Sequence, residues 1–163
     1  MNDIPTKRLA DNFCTFRLVG DERHLEECVN SPNFDPNFFN EFEEPIIHTL
    51  IYMADDTKND TENLLMAIKY LMSHPDFNIN AEDKFGETAI MVCARRKKLI
   101  DVSRLLLSDL NIDLYTKSTT GLSLIELADK YDNQELIKLI ENREKEGSNT
   151  PGMPHLRRSL SVS

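Results

Sequence analysis

Three short segments of the chain share one form: Phe34-Asp35-Pro36-Asn37, Phe77-Asn78-Ile79-Asn80 and Leu110-Asn111-Ile112-Asp113. Each follows an apolar stretch and ends in Asn or Asp, and those last residues lie 43 and 33 positions apart. A repeat of this period constrains the fold more than composition does. Each unit is one supersecondary element that cannot bury its apolar face alone, so neighbouring units must stack and share a core. After the second segment comes Ala81 to Ala94, and after the third a parallel run from Gly121 to Ala128. Gly86 and Gly121 hold the same place, two residues before Thr88 and Ser123.

Each unit then continues as a short helix, a polar turn and a second helix with apolar residues at three-four spacing. Those residues are Leu64, Leu65, Ile68, Leu71 and Met72 in one unit and Ile100, Val102, Leu105, Leu106 and Leu107 in the next, each set predicting a helix of about three turns. The N-terminal unit is looser, with Leu9, Phe13 and Phe16 on a first helix, Gly20-Asp21 at the turn, and Leu25, Cys28 and Val29 on a second. The last unit ends with Leu136, Ile137, Leu139 and Ile140 and a polar exit, Glu141 to Glu146, as a terminal cap requires. Gly86 and Gly121 permit the positive φ of a sharp turn. Thr88 and Ser123 are placed to cap the helices that follow them, an interaction worth about 1 kcal/mol.

The pattern resembles the ankyrin repeat, whose signature is a glycine followed by Thr-Pro-Leu-His-x-Ala within about 33 residues. Asn80, Asp83, Gly86, Thr88, Ile90 and Cys93 fall where that family places Asn, Asp, Gly, Thr, Leu and Ala. Pro45-Ile46-Ile47-His48 keeps the family's His, and Ser123-Leu124-Ile125-Glu126 keeps a hydroxyl and an apolar residue without the His. The resemblance implies an all-α solenoid of four helix pairs with β-hairpin fingers, in units of about 6–40, 41–83, 84–117 and 118–146, the first degenerate. The 43-residue spacing implies a ten-residue insertion, and Ala54 to Asn63, rich in Asp, Asn and Thr, is expected to form an acidic loop within the second unit. It further implies that His48 hydrogen-bonds backbone near a finger. The fingers and first helices would form a concave, non-catalytic surface that recognises another protein.

Charge narrows the partner. With 19 Lys plus Arg against 28 Asp plus Glu, the formal net charge is −9, the wrong sign for clamping nucleic-acid phosphates or coating an anionic membrane. No apolar run approaches the roughly 20 residues of a membrane span, and the first residues lack a signal-peptide core. Three cysteines without CxxC spacing read as free thiols in a reducing compartment. The expectation is a cytoplasmic monomer, also able to enter the nucleus. Exposed-looking aromatics, Phe39, Phe42, Phe85 and Tyr115, fall at the finger tips beside Glu82, Lys84 and Lys117 and are the candidate partner anchors. Packing between adjacent fingers is the alternative role, above all for Phe38 and Phe85. Glu41, Glu43, Glu44, Asp83 and Glu87 surround the rings and favour a partner with a basic surface. An inhibitor of a transcription factor, as in the short acidic inhibitory ankyrin proteins, is a second form of the same reading.

Other features carry weaker chemistry. No catalytic motif is found, and no cofactor is implied. His24 and Cys28, four apart on a helix and with Cys14 near, are short of the three or four ligands that zinc takes. Arg95-Arg96-Lys97-Lys98 forms a basic run at a turn between helices, read either as solvated charge or as a nuclear-import segment. From Gly147 to Ser163 the chain turns rich in Ser, Pro and Gly, the composition of a disordered tail. Arg158-Ser159-Leu160-Ser161 in it resembles a basophilic phosphorylation site and a 14-3-3 ligand, with Ser159 and Ser161 as candidate acceptors.

Overall fold

Apolar residues at three-four spacing become helices wherever a neighbouring helix covers them. The computed structural model describes residues 6–31, 34–55 and 57–148. Among these, eight α-helices form: α1 (Thr6–Val19), α2 (Arg23–Val29), α3 (Ile46–Tyr52), α4 (Lys58–Met72), α5 (Ala89–Ala94), α6 (Ile100–Leu107), α7 (Leu124–Lys130) and α8 (Gln134–Ser148). The protein is predominantly helical, and no helix among the described residues is long and apolar enough to cross a membrane.

Consecutive helices pair as α1 with α2, α3 with α4, α5 with α6 and α7 with α8. Across pairs, α3, α5 and α7 pack in series, as do α4, α6 and α8. One core therefore runs along the chain, from Phe13 and Leu25 through Leu50, Leu64, Ile68, Ile90 and Leu106 to Leu127 and Leu136. α5 shows why short helices suffice. All six of its residues are buried because α3 and α7 cover opposite sides, which matches its apolar sequence all round.

The Asn that ends each of the first two repeated segments has a structural reason. Asn80 donates through Nδ2 to the Asn111 carbonyl (2.8 Å) and accepts from the Asp113 N–H (2.8 Å). Asn37 does the same one unit earlier, donating to the Asp76 carbonyl (2.7 Å) and accepting from the Asn78 N–H (2.6 Å). One planar amide thus satisfies a carbonyl and an N–H of the following loop. Each such bond is worth about 0.5–1.5 kcal/mol.

Four expectations change. The fingers are not β-hairpins: among the described residues no strand forms, and each finger closes through one isolated antiparallel bridge, Phe39 to Pro45, Glu82 to Thr88 and Lys117 to Ser123. A tight turn leaves room for one bridge only. Next, the acidic insertion is not a loop through residue 63, because α4 begins at Lys58, capped by the Thr57 hydroxyl accepting from the Asp60 N–H (3.3 Å). α4 has 15 residues where its counterpart α6 has 8, so much of the insertion lengthens a helix. Third, α8 continues through Gly147 to Ser148, two residues into the segment expected to be tail.

The fourth change concerns helix caps. Ser123 caps α7 in a reciprocal box, its hydroxyl accepting from the Glu126 N–H and the Glu126 carboxylate accepting from the Ser123 N–H (2.8 Å). Thr88 makes no such bond. The Met91 N–H turns to the Thr88 carbonyl instead (2.9 Å), leaving the Thr88 hydroxyl buried without a hydrogen-bond partner. His48 completes the set. Its Nε2 donates to the Glu87 carbonyl (2.7 Å) at the base of the next finger, and its buried Nδ1 finds no partner. Pro45 stands before α3 where a hydroxyl stands before α5 and α7, so no one unit carries both hydroxyl and imidazole.

Candidate partner-binding face

The fingers are built by side chains that stand in for backbone. Asn40 Oδ1 accepts from the N–H groups of Phe42 (2.8 Å) and Glu44 (3.0 Å), and Asp83 Oδ1 accepts in the same way from Phe85 (2.8 Å) and Glu87 (3.0 Å). Holding these N–H groups from inside the turn throws the intervening side chains outward. Gly86 and Gly121 take φ of 65° and 80°, as the sharp turn requires. Glu43 occupies the same place in the first finger with φ of 59°, a left-handed conformation unfavourable for a residue with a Cβ.

Adjacent fingers abut. The Thr119 N–H donates to the Phe85 carbonyl (2.9 Å), and Lys84 Nζ lies 3.6 Å from a Glu44 carboxylate oxygen. Along this row Phe39, Phe42, Phe85 and Tyr115 are all at least half exposed, and Glu41, Glu43, Glu82, Lys84 and Lys117 are exposed among them. Lys84 Nζ also lies 5.4 Å from the Phe85 ring centroid. Phe38, the neighbour of Phe39, faces the other way and is buried against Phe13 and Phe34.

Asp83 and Glu87, expected among the surface carboxylates, are buried beneath the fingers. Asp83 Oδ2 accepts from the Tyr52 hydroxyl (2.9 Å), and burial together with this carboxylate raises the Tyr52 phenol above its ordinary range. Glu87 pairs with Arg95, while burial pushes its carboxyl upward against the pull of that guanidinium. Arg95 lies 5.9 Å from the Tyr131 ring. Tyr52, Arg95 and Tyr131, at or just beyond the C-termini of α3, α5 and α7, therefore continue the finger row along the helix ends. Sequence reasoning missed the two tyrosines as surface groups. The available signal was periodic: Tyr52 and Arg95 each stand seven residues after a helix-opening position, Pro45 and Thr88.

The basic run is largely engaged in the fold. Besides the Arg95 pair, Arg96 donates to the carbonyls of Ile51 (2.8 Å) and Ala54 (2.6 Å), and Lys97 pairs with Asp132 (2.6 Å). Arg95 and Arg96 are only part-exposed, while Lys97 and Lys98 are exposed, so the run is not the uniformly solvated turn expected. His24, Cys28 and Cys14 do not gather: Cys28 is buried and accepts from Asn12 Nδ2 (3.5 Å), while Cys14 meets Met53. Among the described residues no group of three His, Cys, Asp or Glu is placed to hold a metal. Cys93 is enclosed, and burial pushes its thiol up to about 12, the state of an inert packing residue. Ser159 and Ser161 lie outside the described residues.

No protein-family model matches the chain, and no curated protein matches it.

Proposed function

We propose that this protein is a non-catalytic binding module of the ankyrin-repeat kind, four stacked helix pairs whose fingers and adjacent helix ends hold another protein. One observation carries the reading: three half-exposed aromatic rings, Phe39, Phe42 and Phe85, stand on two abutting fingers whose backbone is fixed from within, and Tyr115 is exposed just before the third. Rigid rings bury much area for little conformational entropy, and so anchor interfaces. The exposed carboxylates of Glu41, Glu43 and Glu82 add a preference for a partner with a basic surface. The same charge favours, as a second form of this reading, a stoichiometric inhibitor that covers a basic segment of a transcription factor. We place it in the cytoplasm with access to the nucleus.

The test is affinity capture from native extract with the intact chain and with Phe85→Ala, Tyr115→Ala. Both rings lie at the surface, so helical circular dichroism and melting should be unchanged while a discrete partner is lost. Retention of that partner by the double variant would remove the fingers from the interface.

A further inference from the structure

We infer that the basic segment after α8, residues 149–163, docks on the finger face of its own chain, setting Arg157 and Arg158 among the finger carboxylates. This rests on the proposed reading of the fingers as a binding face and names a second occupant for it. The charge distribution is the first argument. Every Asp and Glu of the chain lies at or before Glu146, whereas residues 149–163 hold Arg157 and Arg158 and no acidic residue. Leu156 and Leu160 flank that arginine pair, so the segment offers cations between apolar side chains. The fingers offer the complement, with Glu41, Glu43 and Glu82 exposed between Phe39, Phe42 and Phe85. Lys84, which lies near the Phe85 ring and pairs with Glu44, shows that this face holds a cation on an aromatic surface and a carboxylate together. Arginine is better suited than lysine to that combination, because its planar guanidinium stacks and pairs at once.

Geometry supplies the second argument. Arg143, in the last turns of α8, lies with Nη2 3.5 Å from the Asp109 carbonyl, in the loop that leads into the third finger. α8 therefore runs beside the loop from which the third finger rises. From Ser148 to Arg157 an extended chain reaches about 30 Å, and packed helices lie about 8–10 Å apart. The second and first fingers, one and two helix pairs away from α8's own, are within that reach. Tethering raises the effective concentration to the order of millimolar, so a contact too weak to form between separate molecules is populated within one. A partner with a basic surface then competes with the chain's own arginines, which sets a threshold on the charge it must bring.

Nuclear magnetic resonance on the full chain tests this, comparing the natural sequence with Arg157→Glu, Arg158→Glu. Both positions lie outside the described helices, so the fold is kept and amides remote from the fingers act as internal controls. Docking requires the amides of Phe39–Glu44 and Glu82–Glu87 to shift in the charge-reversed chain. The same signals should move when the natural chain goes from about 0.01 M to 1 M salt, where the Debye length falls from about 30 Å to 3 Å. Unmoved finger amides would overturn the proposal, and so would shifts that grow with protein concentration, which would assign the occupant to a second copy. Capture with the charge-reversed chain separates the two readings. A partner retained or gained there, with unmoved finger amides, removes the intramolecular contact and leaves the binding face standing.

Discussion

The N-terminal helix pair and the three pairs after it are joined by different means. Beyond the first pair the links recur: Asn37 and Asn80 each clip the next loop, and His48 and Asn133 each bond a carbonyl 39 residues away in an adjacent unit, Glu87 and Ala94 (2.7 and 3.2 Å). Among the described residues the first pair has none of these offsets. α1 lies against α4 as well as α3, and Arg17 forms a buried ion pair with Asp60 (2.7 Å) while also donating to the Met53 carbonyl. Asn63 Nδ2 completes the contact by donating to the Arg17 carbonyl (2.8 Å). Asp60 and Asn63 both belong to the insertion, so the residues that break the repeat are those that seat the first pair. A repeated link can lose one member and keep its neighbours, whereas a single buried ion pair has no substitute.

The largest effect should follow from breaking that singular link. Asp60→Ala leaves the Arg17 guanidinium buried without its counter-charge, and the chain should lose about 3–5 kcal/mol of stability in chemical denaturation. If the N-terminal pair melts alone while the rest holds, the transition will split in two. A loss below 1 kcal/mol would show that the pair is held by packing instead. In the repeated region Leu106→Ala, at a fully buried position in α6, should cost about 2–5 kcal/mol in one cooperative transition. A loss confined to α5 and α6 would contradict the shared core.

His48 gives a smaller effect with a pH signature. Burial, against the pull of the Glu87 carbonyl bond and of Asp83 and Glu44, holds its imidazole below the ordinary 6.5. The native state therefore stays neutral where the unfolded chain takes a proton. The contribution is complete above 6.5 and declines as pH falls from there toward the native value. His48→Ala should cost about 1–3 kcal/mol at pH 7.5, a bond lost inside the stack, and the gap to the natural chain should narrow at pH 5.5. Glu87 titrates in the opposite sense, so the comparison is made between the two chains and not on either alone. A gap that widens on acidification would mean that the imidazole is charged in the native state.

The smallest change should be a gain. Glu43→Gly relieves a left-handed φ in the first finger, offset in part by the entropy of glycine in the unfolded chain, and should stabilise by about 0.5–1 kcal/mol. No gain would show that the finger relaxes around Glu43.

The helix pairs were legible because their apolar spacing is local, and α1 and α2 were found at Leu9–Phe16 and Leu25–Val29 even where the repeat is loose. The insertion was misread because Asp, Asn and Thr read as loop residues, while Thr57 and Asp60 in fact open a helix whose first turns face α1. No local pattern reveals an ion partner 43 positions away. Asp83 and Glu87 were placed at the surface for the same reason, since only the folded chain brings Tyr52 and Arg95 to them. The exposure of the four rings was legible, but only Phe42 and Phe85 sit within a finger turn, while Phe39 stands at a finger's base and Tyr115 two residues before the third finger's bridge.

The most direct test of the finger face is photo-crosslinking from native extract, with a benzophenone amino acid placed at Phe85 and, in a second chain, at Met66 on the exposed side of α4. The account predicts a discrete crosslinked partner at position 85 and none at 66. The same partner joined equally at both, or at 66 alone, would contradict it.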